Sequence, residues 1–375
     1  MERSADCFSE AEWREAFAGQ AKDGHYHSVV ESTICGDFDY RYLGIHDASG
    51  RLRVLQPMFV TDQDLVVGIP AFFRAIAAAV RRVFPRFLFQ RMLMAGCAAG
   101  EGHAGLLGDR AKSAEALLQA LEIYARHRRA SIVTLKDFPK VNREWLDAPA
   151  AAQQYRRIPS FPATTIDLRD LRNFDDYLER RVGKATRKSL RRKFRLADAI
   201  EPRLTMEVRS EVGAEAHELC ALYRQVLDRS EFRFEELTPE YFIELGRRMP
   251  GSARFFIWRA AGRPVAVSAT LIHNGRIYDN YLGMDYALAY ERHLYFVTLR
   301  DMINYAIDDG VETYYSTPLD YEPKRSLRFR IAPLDLYVKF VNRAINPLFR
   351  RVLPFLEPTR YDRTLRRFEN AKDMD

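Results

Sequence analysis

The chain has 375 residues with a formal charge of +7, and is 47% hydrophobic and 29% charged. That length exceeds one ordinary core and predicts two domains, and the balance excludes a disordered chain. Four scattered cysteines without a CxxC pair and eight histidines without ligand spacing exclude a disulfide framework and predict no metal site and a reducing, cytoplasmic setting. The first residues show no signal-peptide core, and no run reaches the ~20 apolar residues of a membrane span. A soluble protein is therefore expected, with at most peripheral membrane contact. The positive charge admits a phosphate-bearing, nucleic-acid or anionic-surface partner.

Residues 9–19 read as a first helix, with Ser9 as N-cap and Glu10 and Glu12 in its opening turn. Strands around residues 40–45 and 52–60 flank Asp47-Ala48-Ser49-Gly50, a hairpin signal. Residues 70–84 have a helical period, with Phe72, Phe73, Ile76, Val80 and Val83 on one side and Arg74, Arg81 and Arg82 elsewhere. Such a helix suits a core, and a basic amphipathic helix also suits a membrane surface. A strand at 92–96 leads into a glycine-rich loop, 97–105, which lacks the Lys-Ser/Thr of a phosphate loop. A helix over 114–128, capped by Ser113, and a strand over 131–136 follow.

The unit 92–137 (strand, loop, helix, strand) matches 278–320 in element order and spacing. This predicts two αβ halves of one kind, joined near Ile158-Pro159-Ser160-Phe161-Pro162. Beyond the seam, a strand at 163–168 precedes one long helix, 174–199, capped by Asn173. Nine basic residues crowd its middle between Arg180 and Arg195. Part of that run is an ordinary solvated face, but the cations repel one another and an anionic partner would relieve them. A strand at 204–208, helices at 214–228 and 239–249, and a three-strand meander over 255–283 come next. The meander turns at Ala261-Gly262-Arg263 and at Asn274-Gly275. A polar loop then ends at Tyr290-Glu291-Arg292-His293, before a helix over 294–309, a strand over 312–316, a second polar loop and a last strand over 334–340.

Across about residues 90–345 this order resembles a tandem arrangement of GNAT acyltransferase domains of the FemAB-like branch. The resemblance rests on Leu282-Gly283-Met284-Asp285-Tyr286 with Leu294-Tyr295-Phe296, on Ser316-Thr317-Pro318-Leu319-Asp320-Tyr321-Glu322-Pro323-Lys324, and on Thr186-Arg187-Lys188-Ser189-Leu190-Arg191-Arg192-Lys193. It implies an α/β (α+β) fold in which each half is a mixed, mostly antiparallel twisted sheet flanked by helices. The expected limits are 1–162 for the first half, 163–345 for the catalytic half and 346–375 for a helical tail. The sequence departs from the coenzyme A pattern at 285–293, where the Gln/Arg-x-x-Gly-x-Gly/Ala loop is replaced by a stretch without glycine.

The implied reaction is acyl transfer to a small-molecule amine, with no tightly bound cofactor. The donor is an acyl-CoA or an acyl-carrier-protein thioester, or alternatively an aminoacyl-tRNA. A non-catalytic GNAT-like module that binds nucleic acid or an anionic membrane stands as the alternative outside enzymes. Such a reaction needs a proton acceptor for the amine and donors for the oxyanion. The candidate bases are Asp279, Asp285, Glu291, His293, Asp320 and Glu322. Asp279 lies in a strand beside Tyr278 and Tyr281, where a carboxylate is expensive without a partner; an arginine partner is the plainer reading. Tyr321 as general acid competes with Tyr321 as a packed ring, and His293 as base with a structural histidine. Asp279, Tyr321 and His293 are expected to act on the reacting groups. Tyr281, Asp285, Tyr290, Arg292, Ser316, Asp320 and Lys324 are expected to bind substrate or donor, with Lys324 as a surface lysine the rival reading. Arg187, Lys188 and Arg191 are expected to meet a tRNA or carrier protein. The C-terminal segment, where Phe340, Ile345, Phe349, Val352, Leu353 and Phe355 interleave with Arg343, Arg350 and Arg351, suits either a lipid surface or packing against the first half.

Overall fold

The computed structural model describes residues 1–65, 71–230, 233–355 and 357–375, so position 70, the expected helix start, lies outside the described residues. The chain falls into two units. One is Met1–Pro162 with Ala332–Arg366 and Ala371–Asp375; the other is Ala163–Ile331 with Arg367–Asn370.

The first unit opens with α1 (Glu10–Ala16) and α2 (Gly24–Thr33). A capping box starts α1: the Ser9 hydroxyl accepts from the Glu12 N–H, and the Glu12 carboxylate accepts from the Ser9 N–H. Then come β1 (Asp39–His46), β2 (Leu52–Asp64), α3 (Ala71–Arg81), β3 (Phe89–Ala95), β4 (Gly105–Leu106), α4 (Arg110–His127), β5 (Ile132–Pro139), α5 (Arg143–Ala152) and β6 (Arg156–Pro159). Ser113 is not the cap of α4. Asp109, an equally good capping residue, takes the Lys112 N–H one turn earlier, and the Ser113 hydroxyl donates to the Leu107 carbonyl. The glycine-rich loop after β3 is packed rather than open. A Cβ on Gly102 would lie 2.3 Å from the Lys136 carbonyl oxygen, and Lys136 Nζ donates to the Gly100 carbonyl at 3.1 Å.

The second unit runs through β7 (Ala163–Asp167), α6 (Phe174–Arg181), α7 (Lys184–Asp198), β8 (Leu204–Arg209), α8 (Ala216–Leu227) and α9 (Pro239–Arg248). It continues with the meander β9 (Ala253–Ala260), β10 (Arg263–His273) and β11 (Arg276–Met284). Then follow α10 (Tyr286–Ala289), α11 (Leu294–Asp308), β12 (Thr313–Ser316), α12 (Tyr321–Ser326) and β13 (Arg330–Ala332). The expected long helix 174–199 is two helices. Buried Val182 turns extended and Gly183, a poor helix former, stays extended as the N-cap of α7, so the cation run spans a break. The Asn274-Gly275 turn holds φ of 46° and 69°, as its residue types require.

The chain then returns to the first unit as β14 (Leu334–Phe340) and α13 (Asn346–Val352). This corrects the expected limits, which put 334–340 in the catalytic half and 346–375 in a separate tail. The first sheet runs β1-β2-β3-β5-β14-β6, with β14 antiparallel to both neighbours. Polar partners fix β14 there. Arg143 forks onto the fully buried Asp335 at 2.7 and 2.9 Å, Arg157 adds a third bond, Lys339 pairs with Glu122, and the Tyr337 hydroxyl donates to Asp147. The second sheet runs β13-β7-β12-β11-β10-β9-β8. Each sheet contains a parallel pair bridged by a helix, β3–α4–β5 in the first and β11–α11–β12 in the second.

Helix α8 presses on β11 at Gly283, where a Cβ would lie 2.5 Å from the Tyr223 backbone nitrogen. Gly283→Ala should therefore destabilise the second unit by about 1–3 kcal/mol, read as a lower urea midpoint at unchanged slope. An unchanged midpoint would show that the helix gives way freely.

Candidate active site at the parting of two parallel strands

Strands β11 and β12 pair only from Arg276 with Thr313 to Asp279 with Ser316. There β12 ends, while β11 continues to Met284, so among the described residues the following stretch of β11 has no strand on that edge. Thr317 closes the seam: its N–H donates to the Asp279 carbonyl at 3.3 Å and its hydroxyl to the Asn280 carbonyl at 3.2 Å. On the other edge the register slips. Ala269 faces Tyr281 and Thr270 faces Asp279, which leaves Asn280 as a bulge.

The bulge puts Asp279 and Tyr281 on opposite faces of β11, because successive residues of β10 point opposite ways. Tyr281 packs edge-on against Tyr223 and Tyr241 and donates to Glu235 at 2.8 Å. Its expected place beside Asp279 is therefore corrected. Asn280 is 9% exposed, and its amide oxygen has no hydrogen-bond partner among the described residues, an acceptor left unmet at the bulge.

Asp279 has no arginine partner among the described residues; two hydroxyls hold it. Ser268 Oγ donates to one carboxylate oxygen and the Tyr314 phenol to the other, each at 2.8 Å. Burial, and then the Asp279 carboxylate, push the Tyr314 phenol well above its ordinary range. Tyr295, in the first turn of α11, behaves likewise: burial raises its phenol first, then the carboxylates of Asp320 and Asp279.

Lys324 is 5% exposed, which corrects the surface-lysine reading. Its Nζ donates to the carbonyls of Thr317 at 2.6 Å and Leu319 at 2.9 Å. Burial holds it down to about 8, against the pull of Asp279 and Asp320. An ammonium has three donors, so one N–H remains after those two bonds. The turn it braces is strained, since Leu319 and Asp320 both take left-handed conformations, φ 76° and 51°.

The other expected site residues are dispersed. His293 caps α11 in a left-handed conformation. Burial lowers its imidazole first, then the cations Lys193 and Arg192 of α7. Asp285 accepts from the Ala287 N–H as N-cap of α10 and pairs with Arg263 at 3.2 Å. Arg292 is buried and donates to the Pro202 carbonyl at 2.8 Å. Tyr290 is exposed beside Tyr286, and Glu291 is exposed. Tyr321 is buried with its ring edge-on to Phe368, and Glu322 pairs with Arg325. Arg187 and Arg191 both bind Glu179, at 2.6 and 2.7 Å, while Lys188 is exposed. Asp279, Ser316, Asp320 and Lys324 thus gather at the seam, joined by Ser268, Tyr295 and Tyr314. Ser268 had a faint signal as a hydroxyl inside the apolar run Val265-Ala266-Val267; Tyr314 had none beyond strand alternation.

Residues 184–325 match the family model described as an acetyltransferase (GNAT) domain. The structure is similar to that of L-PGS from Bacillus licheniformis, with a TM-score of 0.53 at 12% identity over 94% of this chain and 98% of that one. It is similar to FemX, at 0.52 and 11% over 84% and 91%. It is also similar to a tandem GNAT protein from the clavulanic acid biosynthesis pathway, at 0.51 and 12% over 90% and 97%. No curated protein sequence matches. That match identifies residues 184–325, within the second unit, as a GNAT domain. The fold is like that of FemX and of the tandem GNAT protein, with two mixed sheets flanked by helices.

The segment 285–293 does not fit a pyrophosphate cradle. Asp285 places a carboxylate at its start, α10 fills its middle, and Arg292 is committed to the Pro202 carbonyl.

The low folded-state value of Lys324 sets a pH test. Between about 8 and 10.5 the unfolded chain holds this proton and the folded one does not, so the group makes stability rise with pH across that window. The full difference is worth about 3 kcal/mol. Urea midpoints at the two ends of the window should show the rise in the native chain and its loss in Lys324→Met; equal slopes in both would refute it.

Proposed function

We propose that the second unit catalyses transfer of an acyl group from an activated thioester or ester donor to the amine of a small molecule. The observation that carries this reading is the Asp279–Lys324 cluster at the parting of β11 and β12. Past Thr317, the edge of β11 from which β12 has parted suits an extended donor arm that adds to the sheet by backbone hydrogen bonds. Asp279 takes a proton from the attacking amine as nitrogen bonds to the acyl carbon. The remaining Lys324 N–H is offered to the acyl oxygen as its charge grows, and the carbon–sulfur or carbon–oxygen bond of the donor then breaks. The proton taken by Asp279 passes to the leaving sulfur or oxygen, which restores the carboxylate, and the product is an amide.

The missing cradle at 285–293 speaks for a donor delivered on an anionic carrier rather than as free acyl-CoA. A carrier-protein thioester is the first such donor. An aminoacyl-tRNA is the second, favoured by the likeness to FemX and to L-PGS. For either carrier, α7 offers Lys184, Lys188, Arg192 and Arg195, none with an ion pair among the described residues. The cytoplasm, where such carriers are charged, is the proposed setting.

Purified protein should be given an amine panel with acyl-CoA, acyl-carrier protein or aminoacyl-tRNA, and amides read by mass spectrometry. Asp279→Asn should lower kcat by about 10²–10⁴-fold. The rate should fall as pH rises through about 8, a limb that disappears in Lys324→Met. Lys188→Ala with Arg195→Ala should raise KM for the carrier-bound donor at least tenfold while leaving kcat in place, more so at low salt. Full activity of Asp279→Asn would remove the proposed site.

A further inference from the structure

The first sheet gathers two segments at one of its ends. Asp64, the last residue of β2, pairs with Phe89, the first of β3. Strand β3 is parallel to β5, with Met92 beside Ile132, and β14 ends at Phe340 opposite that same Ile132. The α3–β3 connection and the start of the α13 segment therefore leave the sheet at the same end.

Both segments expose large apolar side chains. Val83 is 73% exposed and Phe84 66%, with Phe87 and Phe89 also exposed. On the second segment Leu348 is 66% exposed and Phe355 55%, with Ile345 and Val352 alongside. Single exposed apolar residues are ordinary, but two clusters at one sheet end are not. Arg81 braces the first: its guanidinium forks onto Asp64 at 2.9 and 2.6 Å, donates to the Phe87 carbonyl and lies over the Phe89 ring.

Their charge is one-sided. No acidic residue occurs between Asp64 and Glu101 or between Asp335 and Glu357. Arg82, Arg86, Arg343 and Arg351 are exposed there and have no ion pair among the described residues. A second copy of this chain docked by a twofold axis would set arginines against arginines. A surface with an apolar interior and anionic headgroups matches both features at once. We propose that this end of the first unit docks on an anionic lipid bilayer, with Phe84 and Leu348 entering the acyl boundary and the arginines on the headgroups. No described helix is long and apolar enough to cross a membrane.

The test uses the full chain with vesicles of phosphatidylcholine alone or mixed with phosphatidylglycerol. Co-sedimentation should occur with the mixed vesicles only and weaken as salt shortens the screening length. Phe84→Glu with Leu348→Glu should lower partitioning at least tenfold. Arg82→Glu with Arg86→Glu, a purely surface change, should do the same with an unchanged circular dichroism spectrum. Two results overturn the proposal: no partitioning of the native chain into anionic vesicles at low salt, or lipid-free self-association that Phe84→Glu with Leu348→Glu abolishes. The second would assign the patch to another copy.

Discussion

The candidate site depends on one constraint: β11 and β12 pair in parallel for four residues and then part. A parted parallel pair leaves backbone groups on an inner edge, and a buried polar group without a partner costs free energy. The chain meets part of that cost itself. Thr317 ties the last paired carbonyls, and Lys324 reaches from the next helix to the carbonyls of Thr317 and Leu319. What is left unmet among the described residues, the Asn280 amide oxygen beside the parted edge of β11, is what an incoming substrate can use.

The bulge at Asn280 is the second half of the same device. Without it, Asp279 and Tyr281 would share a face, and either the carboxylate would be buried against the rings of α8 and α9 or Tyr281 would leave them. With it, the aromatic wall and the carboxylate occupy separate faces, and Asp279 meets Ser268 and Tyr314. Function and packing are thus served by residues two apart on one strand.

Much of this frame was legible because it is local. Caps at Ser9 and Asn173 and the Asn274-Gly275 turn depend on residues a few positions apart. Asp279 stood out as a carboxylate among strand residues, and the stretch 316–324 as a polar run after a strand. The partner of β14 was not legible. An apolar strand bears no address, and its place between β5 and β6 is set by Asp335, Tyr337 and Lys339 finding Arg143, Asp147 and Glu122 some two hundred residues away. Nor was the bulge, since Tyr278-Asp279-Asn280-Tyr281 alternates like any regular strand. The break at Val182-Gly183 was visible as a glycine but outweighed by the cation run around it.

That cation run also changes meaning in three dimensions. Nine cations on one continuous helix would repel strongly, and an external anion would be the natural remedy. Split across α6 and α7, Arg180 is answered by Asp176, and Arg187 and Arg191 by Glu179. Lys193 lies over the Phe296 ring, at the N-terminal end of α11. The surplus that remains, Lys184, Lys188, Arg192 and Arg195, is exposed on α7. Exposed pairs of this kind contribute little to stability. The carboxylates of Asp175 and Glu179 on α6, with Asp198 at the end of α7, make this a surface of mixed sign, suited to a partner that presents spaced anions. The acid-free arginines beside Phe84 and Leu348 carry no such counterweight, and their charge is matched only by a surface that is anionic throughout.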